Sequence, residues 1–189
     1  EKRGDATRVE FCCGTRALHD YRIKHAILST LAADLTTGYT DIATVIDKMR
    51  EENKSLRREL RSVREALLER EAQDLWQHGE RRDGYRLVMQ AFDGYDVGEV
   101  RQIMQHVIAN PATIALCGTS GDKAMLIVAR SDDLPHDMVP VLMQGLAVWD
   151  VDRGGGRPSF AQGGGVPASH KRVMAALAAA AAYLDTVKD

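Results

Sequence analysis

The residues best suited to chemistry lie in a glycine-rich stretch, Gly154–Gly165, which reads GGGRPSFAQGGG in a chain of 189 residues. Glycines permit positive φ and a close approach of the backbone to a ligand, and successive backbone N–H groups can form a concavity that binds an anion. Arg157, within the stretch, carries a guanidinium group that suits phosphate. The pattern predicts a phosphate-binding loop. Tight packing of a helix on a sheet, and a merely mobile loop, are the alternatives that these residues leave open.

A helix is predicted directly after this stretch, over Ala168–Val187, because the segment is rich in alanine. The N-terminus of a helix favours an anion, and His170, Lys171 and Arg172 lie in the first turn, from which they could reach a backbone phosphate. The glycine-rich stretch is not a Walker loop, since no Gly-Lys-Ser/Thr follows it, and it is not the dinucleotide fingerprint.

The elements that must position this stretch follow from the spacing of apolar residues. Strands are predicted at Tyr85–Phe92, Thr113–Cys117 and Ala124–Ala129, the last two forming a hairpin, and helices at Asp96–Ala109 and His136–Gly145. This order of elements indicates an α+β fold, with helices packed on a small mixed sheet.

Two further helices are predicted before this domain. The first covers about Ala17–Leu35, and the second carries a heptad pattern in which nearly all intervening residues are charged. The heptad positions are Ile42, Ile46, Met49, Asn53, Leu56, Leu60, Val63 and Leu67. The pattern predicts a coiled coil and a homodimer, with Asn53 fixing the register at some cost in stability. A long amphipathic helix lying against its own domain is the alternative, and parallel, antiparallel and intramolecular packing all stay open.

Composition limits the classes of function. The net charge is −2 and aromatic residues make up 5% of the chain, so a globally basic nucleic-acid binder and a base-stacking platform are disfavoured, and a polyanion site must be local. The cysteines Cys12, Cys13 and Cys117 lack the spacing of a disulfide framework. With no membrane-length apolar run and no visible signal peptide, we expect a cytoplasmic protein with no membrane partner.

The glycine-rich stretch closely resembles the signature of the DHH-associated domain at the C-terminus of alanyl-tRNA synthetases and long alanyl-tRNA editing proteins. In that family a triple glycine, a basic residue, Pro, and Ala-Gln followed by glycines occur in this order. The N-terminal RVEFCCGTRALHDYR resembles the end of the editing domain of the same proteins, and the charged heptad helix resembles their linker. The resemblance covers nearly the whole chain. It implies a remnant of an editing domain at 1–16, a helical stem at 17–83 and a DHH-associated domain at 84–189.

The resemblance implies a module that binds tRNA and supports dimerisation. The residues carried over are Gly154, Gly155, Gly156, Arg157, Gln162, Gly163, Gly164 and Gly165, to which we add Lys171 and Arg172 for their charge. DHH phosphoesterases carry a related domain whose glycine motif binds substrate phosphate, but that motif usually has His where Arg157 stands here. Ala161-Gln162 also favours the alanyl-tRNA branch. A purely structural oligomerisation module is the third interpretation.

The editing reaction of this family hydrolyses mischarged tRNA at a zinc-type site with a His-x-x-x-His pair and a later Cys-x-x-x-His. No two of the six histidines here are four apart, and Arg16 stands where a ligand His would be needed after Cys12. We therefore expect no catalytic residue, metal or cofactor in this chain. Since the chain starts at Glu1, we expect a fragment, with zinc only in an upstream editing domain. Cys12 and Cys13 are interpreted as core residues of a strand that starts at Arg8.

Overall fold

A computed structural model describes residues 2–3, 6–7, 11 and 13–186. The chain divides into two compact units, Glu1–Arg61 and Ser62–Asp189, and one long helix contributes residues to both. None of the described helices combines the length and the apolar character needed to cross a membrane.

The first unit is mainly helical. Two short strands, β1 (Lys2–Arg3) and β2 (Ala6–Thr7), pair antiparallel, and helix α1 (Gly14–Asp34) precedes the first part of helix α2 (Ile42–His78). The strand predicted at Arg8–Cys12 lies outside the described residues except for Phe11, which is exposed and in no strand. Cys13 is also exposed and is the N-cap residue of α1, so its interpretation as a strand-core residue is wrong. The helix begins one residue later, which leaves Cys13 no sheet to pack in.

The second unit contains a mixed sheet with helices packed on it, which confirms the predicted α+β fold, but the sheet has six strands where three were predicted. Its strands are β3 (Glu80–Arg82), β4 (Tyr85–Phe92), β5 (Thr113–Thr119), β6 (Gly121–Arg130), β7 (Gly154–Arg157) and β8 (Phe160–Ala168). The order across the sheet is β3-β4-β5-β6-β8-β7. Strands β4 and β5 are parallel and all other neighbours are antiparallel, so the predicted β5–β6 hairpin is confirmed.

Helices cover both faces of this sheet. On the face that we call the α3 face, helix α3 (Val97–Ile108) and the end of α2 pack on β4, β5 and β6, with Ile103 and Ile127 fully buried. On the opposite face, helices α4 (Met138–Ala147) and α5 (His170–Thr186) form the larger core, with Leu142 and Leu177 buried.

Local signals in the sequence fix where the helices begin. Asp96 and Glu99 form a reciprocal capping box at the start of α3, each side chain accepting a hydrogen bond from the other's backbone N–H at 2.9 Å. Helix α4 begins at Met138, two residues later than predicted, because the Asp137 carboxylate accepts a hydrogen bond from the N–H of Val139 and acts as the N-cap. Pro140 then lies in the first turn, where its missing N–H costs nothing.

Helix α2 changes its role along its length. Its heptad pattern ends at Leu67, and the next residues on the helix, Leu68 and Ala72, are buried in the core of the α3 face. Arg64 also forms an ion pair with Glu99 of α3. These contacts place the last part of α2 in the second compact unit, which begins at Ser62.

Candidate nucleic-acid interface

The sequence predicts a loop for the glycine-rich stretch, and this prediction is wrong. In the structure the stretch forms a β-hairpin at the edge of the sheet. Strands β7 and β8 pair antiparallel from Gly154 opposite Gly163 to Arg157 opposite Phe160, with only Pro158 and Ser159 between the strands. Glycine has a low intrinsic preference for strands. Here the backbone hydrogen bonds of β8 to both β6 and β7 outweigh that preference.

Three of the six glycines are required by close packing. A Cβ added to Gly154 or to Gly163 would lie 2.6 Å from Cδ1 of Leu146 in α4, and one added to Gly156 would lie 2.1 Å from the carbonyl oxygen of Phe160. The packing interpretation that the sequence left open therefore holds for these three positions. The missing Cβ atoms of Gly154 and Gly163 allow α4 to lie directly on the hairpin, and that of Gly156 allows the close approach of β8.

Backbone conformation explains two more glycines of the hairpin, Gly164 and Gly165. Gly164 has φ of +133° and faces the carbonyl oxygen of Ala124, which a Cβ would approach to 2.5 Å, and Gly165 has φ of +92°. Both lie where the pairing of β6 with β8 shifts its register, between Ala124 and Met125. Residues with a Cβ rarely adopt these φ values, so glycine is needed here to form the bulge.

Gly155 differs from its neighbours, because neither packing nor conformation requires a glycine there. Its φ is not positive, and a Cβ added to it would have no heavy atom of the described residues within 4 Å, its own chain neighbours aside. Gly155 pairs with Gln162 of β8, so both residues lie on the α3 face of the sheet. The space above Gly155 is therefore open to a ligand.

Arg101 of α3 reaches the same surface, although its sequence context did not single it out. Its Nε donates a hydrogen bond of 2.9 Å to Oε1 of Gln162, which lies 61 residues away in the chain. Helix α3 covers the central strands, and β8 and β7 continue beyond it toward the edge. Arg101 thus marks the border between the covered core and the open part of the α3 face, and Gln162 holds its guanidinium there.

Two more arginines adjoin this surface. Arg157 lies two residues after Gly155 on β7, hence on the same face, and Arg153 directly precedes the strand. Both are exposed, and among the described residues neither side chain makes a hydrogen bond or an ion pair. We call Arg101, Arg153, Gly155, Arg157 and Gln162 the hairpin surface. It offers guanidinium groups around an open backbone, which suits a phosphate diester.

The structure does not bring Lys171 and Arg172 to the hairpin surface. They lie in the first turn of α5, which packs on the opposite face of the sheet, and both are exposed. The guanidinium of Arg172 donates to the carbonyl oxygen of Pro167 at 3.3 Å. These two cations therefore form a separate basic position.

His170, next to them, belongs to a polar cluster. Its Nδ1 donates to Oδ2 of Asp93 at 2.8 Å, and the hydroxyl of Ser120 donates to the other carboxylate oxygen. The hydrogen bond from Ser120, together with the His170 ring, holds the pKa of Asp93 below its ordinary value. Because Ser120 and His170 both bind Asp93 and not each other, the arrangement ties three elements together and does not activate the serine as a nucleophile.

No group of three or more His, Cys, Asp or Glu side chains in the described part of the chain is arranged to hold a metal ion. Cys117 is fully buried in β5, and burial raises the pKa of its thiol to about 12, so it stays protonated and unreactive at neutral pH.

The heptad residues of α2 form an apolar stripe that their own chain leaves largely uncovered. Ile42 is buried, whereas the side chains from Met49 onward are 52% to 66% exposed at the apolar positions Met49, Leu56, Leu60, Val63 and Leu67. Within the first unit, Leu31, Leu35, Ile46, Met49 and Asn53 line a cleft of about 930 Å³ that no described residue fills.

Solved structures with a similar fold indicate the fold class to which this chain belongs. Crystal structures of RecJ from Thermus thermophilus with Mn²⁺ and with Mg²⁺ cover 85% of this chain at TM-scores of 0.53 and 0.52 and 15% sequence identity. This chain matches 27% and 28% of those two proteins. At this identity the likeness establishes the fold alone. The C-Ala domain of Aquifex aeolicus alanyl-tRNA synthetase matches 53% of the chain at 20% identity, but its TM-score of 0.43 supports no argument.

Sequence comparison then names the relatives. No protein-family model matches the chain. Alanine–tRNA ligases do: that of Xanthomonas axonopodis pv. citri is 33% identical over 165 residues, 84% of this chain, and that of Hydrogenovibrio crunogenus is 26% identical over 183 residues, 95% of this chain. The resemblance to alanyl-tRNA synthetases is confirmed, since these enzymes align with most of the chain. The chain spans about a fifth of their length, 18% and 21% respectively.

Proposed function

We propose that the sheet domain binds tRNA through the hairpin surface, as the C-terminal module of an alanine–tRNA ligase or of a related editing protein. The observation that carries the proposal is Gly155, a glycine that packing and backbone conformation leave unexplained. It has open space above it, and beside it lie Arg153 and Arg157, whose side chains make no hydrogen bond or ion pair with any described residue. A close approach of a phosphate backbone explains why this position lacks a side chain. The similarity to alanine–tRNA ligases supports tRNA as the nucleic acid and a synthetase as the parent protein.

The chemistry of the surface favours contacts to the sugar–phosphate backbone over readout of bases. Arg101 and Arg157 present guanidinium groups, and no aromatic ring is exposed among the residues of the hairpin surface. Backbone contacts orient a nucleic acid without reading its sequence. The module would therefore recognise the shape of tRNA, leaving the choice of substrate to other parts of the parent protein. A tRNA partner accords with the cytoplasmic location expected from the sequence.

We further propose that two copies of the chain associate through the apolar stripe of α2. Large side chains such as Leu56 and Leu60 are 63% and 66% exposed in the single chain, and a continuous apolar stripe of this length is characteristic of an interaction surface. A second copy supplies the same stripe, so the contact is self-complementary.

The binding of substrate phosphate in a DHH-family phosphoesterase is the second candidate. The fold shared with RecJ favours it, but a shared fold does not fix a function. The curated similarity is to alanine–tRNA ligases, and Arg157 occupies the position where the phosphoesterases usually carry His. Binding of single-stranded DNA in preference to tRNA would support this candidate and contradict ours.

The decisive experiment measures the affinity of the chain for an alanine tRNA transcript by fluorescence anisotropy. We expect Arg157→Ala and Arg101→Ala each to weaken binding by roughly threefold to tenfold, the cost of one charge-assisted contact to phosphate. Arg81→Ala is the matched control, because Arg81 is an exposed arginine on β3 at the other edge of the same sheet. Equal affinities for all three variants and the wild type would refute the hairpin surface as the binding site.

A further inference from the structure

We infer that the two copies pair through α2 as a parallel, in-register coiled coil, with Glu52 of each chain bound to Arg57 of the other. The inference rests on the proposed association of two chains and adds its orientation, which the apolar pattern alone left open. What decides the orientation is the charge of the residues that flank the apolar stripe.

The spacing along α2 assigns every residue a heptad position. Four residues separate Ile42 from Ile46, and three separate Ile46 from Met49, so Ile42 and Met49 occupy d positions and Ile46 and Asn53 occupy a positions. Continuing the pattern places Leu56 at d and Leu60 at a. The residues just outside the stripe, at e and g, then follow from the numbering.

The two flanks carry opposite charges. Position e holds arginine three times in succession, at Arg50, Arg57 and Arg64, and position g holds glutamate at Glu52 and Glu59. In a parallel pair each g residue lies beside the e residue five positions further on in the partner chain. Glu52 therefore meets Arg57 of the second copy, and the twofold symmetry gives this ion pair twice.

An antiparallel pair would produce the opposite result. There e flanks e and g flanks g, so arginines would face arginines along one side and glutamates would face glutamates along the other. Like charges held beside each other across a helix interface destabilise it. The arginines at e and the glutamates at g thus favour the parallel orientation and disfavour the antiparallel one.

The side chains needed for the intermolecular pair are available. Glu52 and Arg57 are exposed, and neither forms an ion pair or hydrogen bond within the described residues. Arg64, by contrast, is engaged with Glu99 of its own chain. We therefore assign the orienting role to Glu52 and Arg57 alone, and not to the next pair, Glu59 and Arg64.

Asn53 fixes the register. It lies at an a position on the wall of the cleft that contains Ile46 and Met49. In a parallel, in-register pair the two Asn53 side chains meet at the same level and can hydrogen-bond to each other. A shift by one heptad would place each Asn53 against an apolar residue, where its amide would lose its partner.

The test uses the 189-residue chain and charge-reversal variants in sedimentation equilibrium. Glu52→Arg places arginine opposite Arg57 of the partner, and Arg57→Glu places glutamate opposite Glu52, so each variant alone should dissociate about tenfold more readily, equivalent to about 1.4 kcal/mol. An equimolar mixture of the two variants regains complementary pairs and should recover the wild-type affinity. Glu51→Arg, an equal charge reversal at the outward-facing f position directly before Glu52, is the matched control and should have no effect, because Glu51 is exposed and lies outside the cleft.

Disulfide trapping provides an independent readout of orientation. With Cys12 and Cys13 changed to serine, Met49→Cys and Leu56→Cys should each form a cross-linked dimer on oxidation, because both are d positions. An antiparallel pair can bring at most one of these two positions against itself. Ser55→Cys, on the outer side of the helix at c, should stay uncross-linked.

The outcomes separate the two proposals. A dimeric wild type whose affinity does not respond to the charge reversals, or whose variant mixture fails to recover, would overturn the parallel pairing and leave dimerisation itself standing. A wild type that is monomeric at every concentration would overturn both. Neither result bears on tRNA binding by the sheet domain, which the anisotropy measurement tests separately.

Discussion

At the scale of single residues, the six glycines of the β7–β8 hairpin have different physical causes. Gly154, Gly156 and Gly163 leave room for neighbouring atoms, while the bulge depends on the positive φ of Gly164 and Gly165. Among these six, Gly155 alone combines open space at the Cβ position with a φ that is not positive, so neither the packing of the described residues nor backbone conformation requires a glycine there. Substitution can therefore separate the glycines that the fold needs from the one at which we propose that a ligand approaches.

Gly155→Val should leave the fold intact and weaken tRNA binding. A β-branched residue suits a strand, and a Cβ at this position meets no heavy atom of the described residues within 4 Å apart from its chain neighbours, so the melting temperature should stay the same or rise slightly. The valine would occupy the space through which a phosphate backbone approaches, and we expect a loss of affinity of about tenfold or more, or about 1.4 kcal/mol. Thermal unfolding and anisotropy on the same preparation check both parts.

Gly163→Val is the control for that substitution. Its Cβ would lie 2.6 Å from Leu146 and 2.8 Å from the carbonyl oxygen of Arg153, so the hairpin and α4 would have to move apart. Overpacking of this kind costs about 1 to 3 kcal/mol of folding stability. If Gly155→Val bound tRNA as tightly as the wild type, no ligand would approach this position and the proposed site would be wrong.

At the scale of elements, Asp93 joins the end of β4 to the β5–β6 turn through Ser120 and to the start of α5 through His170. Its pKa is lower in the folded protein than in the unfolded chain, so its stabilising effect is present above the ordinary aspartate pKa of about 3.9. That effect is lost as the pH falls through the folded-state pKa. Asp93→Asn should therefore lower the melting temperature at pH 7, and the difference from wild type should shrink below about pH 4.

Asp122→Asn serves as the control for this pH dependence, since Asp122 is an exposed aspartate near the same end of the sheet. Its melting temperature should follow that of the wild type at every pH. A constant difference between Asp93→Asn and the wild type from pH 7 to pH 3 would show that the carboxylate charge contributes nothing.

Helix α2 carries two kinds of leucine, and their substitution should have different effects. Leu68 is 3% exposed in the core of the α3 face, so Leu68→Ala should destabilise the sheet domain by about 2 to 5 kcal/mol. Leu60 is 66% exposed, and Leu60→Ala should change the stability of the single chain by less than about 0.5 kcal/mol while weakening the dimer. Urea unfolding in dilute solution and sedimentation equilibrium measure the two effects. A large loss of monomer stability in Leu60→Ala would show that its own chain covers the stripe.

Regular elements were predictable where local patterns determine them. The alternation of Tyr85–Phe92 and the cap at Asp96 indicated a strand and a helix start that the structure confirms. The hairpin at Gly154–Ala168 was predicted as a loop, because glycine-rich sequence carries no strand pattern. Its strand character comes from pairing with β6, a contact between residues that are far apart in the chain.

The candidate site was predictable only in those residues whose type and spacing form a local pattern. The glycines and Arg157 stand out by type and spacing, whereas Arg101 occupies an ordinary polar position in an amphipathic helix. Only the fold brings it to Gln162. The sequence also could not indicate that α5 packs on the other face, which separates Lys171 from the hairpin surface.

At the scale of the whole molecule, the balance of charge argues for a local binding site. The chain has 25 basic and 27 acidic residues, so its net charge of −2 repels a polyanion slightly at long range. Attraction must come from the hairpin surface, where Arg101, Arg153 and Arg157 are close to one another in the fold. Binding that depends on a few cations has a characteristic response to salt.

The affinity for tRNA should fall as the salt concentration rises, and the steepness of the fall should reflect the number of arginines that contact phosphate. Three phosphate contacts give a slope of log affinity against log salt of about −2 to −3, so raising salt from about 50 mM to about 200 mM should weaken binding by about 15-fold to 60-fold. Arg157→Ala should reduce the magnitude of the slope by about 1, because one fewer cation is displaced. Arg81→Ala, at the far edge of the sheet, should keep the wild-type slope. A slope near zero for the wild type would mean that any bound tRNA is held without phosphate contacts. If Arg81→Ala changed the slope as much as Arg157→Ala does, the polyanion would contact the whole surface of the domain and not the hairpin surface in particular.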